Sequence, residues 1–146
     1  MHDLAGSKLR LVRDVPVIGD WLFLLVYPIE LRRGLRREQG LSSSVEGINT
    51  LQHAETDRRG YFPAVLASLR GVLRSPLEEE HRAITAAGVP VLAIWGDADE
   101  VIPLSSKDTL ASWNPQAQQV VIEGAAHGLT YTHTDQVIEA FRTSRG

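Results

Sequence analysis

Two spacings of apolar residues divide this chain. Up to about Gly88 they recur at helical intervals, and after it they come in short continuous runs. In "YFPAVLASLRGVL" the apolar positions Val65, Leu66, Leu69, Val72 and Leu73 repeat as i, i+1, i+4, i+7 and i+8. That spacing predicts a helix with one buried face. "SPLEEEHRAITAAG" predicts another, with Ser75 as its cap, Pro76 in the first helical position, acids in the first turn and Gly88 at the end. Upstream, Asp20 is placed to cap a helix from Trp21 to about Tyr27, which Pro28 disturbs or replaces with a second. "GLSSS", residues 40 to 44, reads as a turn, with Ser44 as the cap of a weakly periodic helix carrying Val45, Ile48, Leu51 and Gln52.

From Val89 the period changes. "VPVLAIWG" is apolar on both faces and bounded by Pro90 and Gly96, the pattern of a buried parallel strand. "PLSSKDTLASW" predicts a short helix, "QQVVIEG" a second strand, and "HTDQVIEAFRTS" a terminal helix with Val137, Ile138 and Phe141 on one side. Strand, helix, strand, helix implies an α/β fold with a parallel sheet. A strand apolar on both faces needs helices above and below it and strands beside it, and two parallel strands make a poor independent sheet. The remaining neighbours are therefore expected from a lost part of the chain or from a partner.

Composition narrows the function classes. The 146 residues include no cysteine, which rules out disulfides and thiolate metal sites and is compatible with the cytoplasm, the expected compartment. A net charge of −3 argues against a nucleic-acid binder. Acids and bases nearly balance up to Gly88, and acids dominate beyond it. Residues 1 to 14 carry charges and no apolar core of the kind a signal peptide has. The most apolar segment, Trp21 to Ile29, is too short to span a bilayer, so no transmembrane segment is expected. The histidines His2, His53 and His81 have no metal-ligand spacing, and no phosphate loop or dinucleotide fingerprint occurs, so neither metal nor cofactor is expected.

The chemistry sits at the strand ends. Ligands in parallel α/β folds bind beyond the carboxyl ends of the strands. "GDADEVIP" follows the first strand and "EGAAHGL" the second, so Asp99 and His127, 28 residues apart, are expected at neighbouring ends. A carboxylate that accepts the imidazole Nδ1–H fixes the tautomer and stabilises the imidazolium formed in general-base catalysis. Asp97 and Glu100 read as turn or capping residues, and His133 as a cap of the last helix.

"PVLAIWGDADEVIP" followed by "VVIEGAAHGLTYTH" resembles the C-terminal part of an α/β-hydrolase, and "HGLTYTHTDQV" is similar to a run in cofactor-free haloperoxidase and esterase-like members. "VPVIGDW" and "RRGYFPAVLASLR" resemble the cap of serine hydrolases near the monoacylglycerol-lipase and ring-cleavage groups. The resemblance implies a helical cap with a connecting helix over 1–88 and the C-terminal part of the hydrolase core over 89–146. It implies that Asp99 is the acid and His127 the base of a Ser-His-Asp triad, with a small apolar ester-like substrate held by Trp21, Phe23, Leu24 and Tyr27. One family element is missing: no G-x-S-x-G occurs in the sequence. In "GLSSS", Ser42 has Ser44 where the second glycine belongs, and no strand precedes it. The chain is accordingly expected to begin after the nucleophile strand and to be inactive alone. Its partner would be a complementing N-terminal fragment or a second copy. The alternative is a non-catalytic fragment serving as a binding or assembly module.

Overall fold

The computed structural model describes residues 18–37, 39–71, 73 and 75–144. The readings made on residues 1 to 14, on His2 and on Val72 lie outside these. The chain divides into two compact units. One is helical. The other contains the sheet and takes in a short upstream segment, Ser42–Glu46.

The helical unit contains α1 (Ile18–Arg37), α2 (Ile48–Thr56) and α3 (Tyr61–Arg70). Its core is Phe23 against Leu66, with Tyr27, Val65 and Leu69 packed around them. Phe23 and Tyr27 lie one helical turn apart and stack with ring centroids 4.5 Å apart. That packing explains why α1 runs on through Pro28, where the sequence predicts a break. An interior proline costs about 3 kcal/mol. Here Phe23 is buried before it and Leu35 after it, so tertiary contacts anchor both flanks. Asp20 is not the cap of α1. It lies inside the first turn, where it complements the helix dipole and pairs with Arg70.

Two other caps differ from expectation. The helix after "GLSSS" begins at Ile48 with Gly47 as its N-cap, so Ser44 does not cap it. Ser75 likewise lies outside α4 (Glu78–Ala86), whose N-cap is Leu77. Ser75 precedes Pro76, which disfavours helical backbone at the residue before it. The three glutamates Glu78, Glu79 and Glu80 supply the first turn instead. The far end of α4 closes as expected at Gly88. Its N–H donates to the Thr85 carbonyl, and the Val89 N–H donates to Ile84, which is a Schellman closure. Leu73, assigned to a buried helix face, is 67% exposed because α3 has already ended.

The sheet unit continues through β1 (Leu92–Gly96), α5 (Ser106–Trp113), β2 (Gln118–Ile122), α6 (Leu129–Thr132) and α7 (Thr134–Ser144). The strands pair in parallel, Leu92 opposite Gln118 through Gly96 opposite Ile122. The Trp95 indole N–H donates to Gln119 Oε1 at 2.9 Å, and the Gln119 amide donates to the Lys107 carbonyl at 3.2 Å. One side-chain chain thus ties both strands to α5. Helix α7 packs on both strands. Among the described residues these are the only two strands. Leu92 to Trp95, apolar on both faces, are therefore half-buried rather than enclosed, and Val121 is exposed.

Candidate active site

Parallel pairing in register brings the carboxyl ends of β1 and β2 side by side. The loops that leave them are locked together by backbone and by one carboxylate. Asp97 Oδ1 accepts the Gly124 N–H at 2.6 Å, and the Ala98 N–H donates to the Ala125 carbonyl at 3.1 Å. Gly124 has φ 71, a left-handed conformation that a side chain would strain, and it turns the chain back over β1. The returning backbone passes so close to Gly96 that a Cβ there would stand 2.1 Å from the Ala125 carbonyl oxygen. Ala125 itself is fully buried. The sequence marks Gly96 as the end of a strand; its contact with Ala125 depends on the crossing of two loops.

These contacts set Asp99 against His127. Asp99 Oδ1 accepts the N–H groups of Val101 (2.7 Å) and Ile102 (2.9 Å), which close the loop around the carboxylate. Its Oδ2 lies 3.0 Å from His127 Nδ1. The Asp99 side chain is 6% exposed and that of His127 53%. Burial pushes the Asp99 carboxyl pKa up. The hydrogen bonds from Ile102, His127 and Val101 outweigh burial, aided by attraction to His127, and hold it below the usual carboxylate value. Asp99 is therefore an ionised acceptor at neutral pH, and it favours the tautomer with the proton on Nδ1. Among the described residues Nε2 makes no hydrogen bond, and it is the atom free to take a proton from a neighbouring group.

Asp97 holds a turn, but the one after β2 rather than its own, through the Gly124 N–H. His133 does not cap α7 with its ring. Its carbonyl accepts the Val137 N–H, and its Nδ1 lies 2.9 Å from the Thr132 hydroxyl. His81 lies over Trp113, joining α4 to α5. Among the described residues no group of three or more His, Asp or Glu side chains is placed to hold a metal ion. No described helix is long and apolar enough to cross a membrane.

Trp21, Phe23, Leu24 and Tyr27 all belong to α1 in the helical unit. Trp21 is 70% and Leu24 43% exposed, whereas Phe23 is buried at 2% in the core. Tyr27 is half-buried, and its phenol pKa is raised by burial and then by Tyr61. Ser42 belongs to the sheet unit, where Ser42–Ser44 and Tyr131–Gln136 together line a pocket of about 380 Å³.

None of the curated proteins compared with the chain matches it. A protein-family model described as the alpha/beta hydrolase fold matches residues 13–134.

Proposed function

We propose, for a chain that belongs to the alpha/beta hydrolase fold family, that Asp99 and His127 are the acid and base of a hydrolytic centre whose nucleophile is supplied from outside these residues. The observation that carries this reading is the 3.0 Å contact of His127 Nδ1 with a buried, doubly N–H-bonded carboxylate, which leaves Nε2 open. Nε2 takes the proton from a serine hydroxyl as the hydroxyl attacks an acyl carbon, and it returns the proton to the leaving group. Asp99 holds the imidazole and stabilises its protonated form. Water then releases the acyl group by the same route. The substrate is a small apolar ester or similar acyl compound. Residues 1–88 act as its cap and connecting helix, and residues 89–146 as part of the catalytic core. Trp21 and Leu24 offer the exposed apolar surface, with Tyr27 beside them and Phe23 packed behind as support.

The nucleophile segment comes from an N-terminal complementing fragment; the other partner considered, a second copy, would pair through the strand edge and bring no nucleophile. The setting is the cytoplasm. The half-buried, two-stranded sheet favours one second reading, a non-catalytic module that completes its sheet against another protein. A serine-reactive fluorophosphonate probe tests the missing nucleophile on the purified 146-residue chain. The expected result is no labelling above that of denatured protein. Stoichiometric labelling would show that a nucleophile is present and would overturn this part of the reading.

A further inference from the structure

We infer that Ser44 is a positioning residue for His127, an inference that rests on the acid–base reading of Asp99 and His127. His127 and Gly128 lead directly into α6, a helix of a single turn. So short a helix is marginal by itself, and its last carbonyls have no partners within it. Among the described residues, two of the three hydrogen bonds accepted by its last carbonyls are local. The Leu129 carbonyl accepts the His133 N–H at 2.9 Å, and the Thr130 carbonyl accepts the Thr134 hydroxyl at 2.8 Å. The third comes from far along the chain: the Ser44 N–H donates to the Tyr131 carbonyl at 2.8 Å.

Ser44 holds the same turn a second time. Its Oγ lies 2.6 Å from Thr134 Oγ1, 90 residues away in sequence. The Thr134 hydroxyl proton is already committed to the Thr130 carbonyl, so the Ser44 hydroxyl is the donor. The segment is shaped for this task, because Ser43 Oγ accepts the Val45 N–H at 3.1 Å and closes the turn around Ser44. The other end of the clamp reaches the histidine. The Tyr131 ring lies against Gly128, where an added Cβ would stand 2.4 Å from the Tyr131 hydroxyl oxygen. The Gly128 carbonyl in turn accepts the N–H groups of Tyr131 and Thr132 at 3.1 Å. Ser44 thus fixes the turn whose first residue is covalently joined to His127, and through it the direction of the imidazole toward Asp99.

The test is the exchange of the His127 Nδ1 proton with water, followed by NMR on the 146-residue chain. Ser44→Ala removes the hydroxyl bond and is expected to speed exchange roughly fivefold, the factor for one ordinary hydrogen bond. Ser44→Pro removes both donors and is expected to speed it further, whereas Ser44→Thr keeps both and the wild-type rate. Amide protection of Ile94 and Val120 in the strands is expected to stay unchanged in Ser44→Ala. Unchanged Nδ1 exchange in Ser44→Ala overturns the inference. A parallel loss of strand protection also overturns it, since Ser44 would then support the unit as a whole. Asp99→Ala separates the two levels: it must speed exchange if the Asp99–His127 pair exists. If it does, a failure of the Ser44 variants is a failure of the clamp alone. If it does not, the acid–base reading fails with it.

Discussion

Gly96→Ala is expected to destabilise the sheet unit by at least about 3 kcal/mol, the upper part of the range for overpacking a tight site. The reason is the nature of the obstacle. The new methyl would meet the Ala125 carbonyl oxygen at 2.1 Å and the Ala125 carbonyl carbon at 2.8 Å, both backbone atoms with no rotamer to escape into. The Ala125 oxygen already accepts the Ala98 N–H, and Gly124 is held by Asp97. Relief therefore means lifting the whole 124–127 turn off the end of β1. His127 would move with it, and its contact with Asp99 would be lost. Urea unfolding followed at the amide signals of β1 measures the stability. A midpoint that implies a change within about 0.5 kcal/mol, the usual range for a surface substitution, would contradict this packing.

The second large effect is on turnover. In an assembly of this chain with a nucleophile-bearing segment, Asp99→Asn is expected to lower turnover by roughly 10⁴-fold, the loss typical when the triad acid no longer enforces the right tautomer. His127→Ala is expected to cost at least as much, because it removes the group proposed to carry the proton. The two losses are expected not to add, since the proposal has both residues act as one unit. The double variant should therefore be about as slow as His127→Ala alone. Wild-type turnover in either single variant would remove both residues from the mechanism. An asparagine at position 99 can still accept a hydrogen bond through its amide oxygen, but it has no charge to stabilise the imidazolium. It can also donate, which favours the tautomer with the proton on Nε2.

Much of this arrangement is legible in the sequence because it is local. The period change near Gly88, the apolar run ending at Gly96 and the spacing of Asp99 from His127 together predict strand, helix, strand and helix in the order found. Three misreadings, at Pro28, Ser44 and Gly96, share one reason. Pro28 is read as a break because the local rule is strong, yet Phe23, Tyr27 and Leu35 anchor the helix on either side of it. Ser44 reads as a cap because serine before a periodic run usually is one, yet its partners are Tyr131 and Thr134. Gly96 looks like punctuation, and its role becomes visible only when the second loop crosses it. Each case is a long-range contact overriding a local preference, and a periodicity argument carries no information about such contacts.

The most direct test of the Asp99–His127 pairing is the tautomer of neutral His127, read from its ring ¹⁵N shifts in the 146-residue chain. This measurement needs neither substrate nor nucleophile. The proton is expected on Nδ1 facing Asp99, with Nε2 unprotonated, and it is expected to shift toward Nε2 in Asp99→Asn. Wild-type His127 carrying its proton on Nε2 would contradict the pairing, because the atom assigned to take the nucleophile's proton would already hold one.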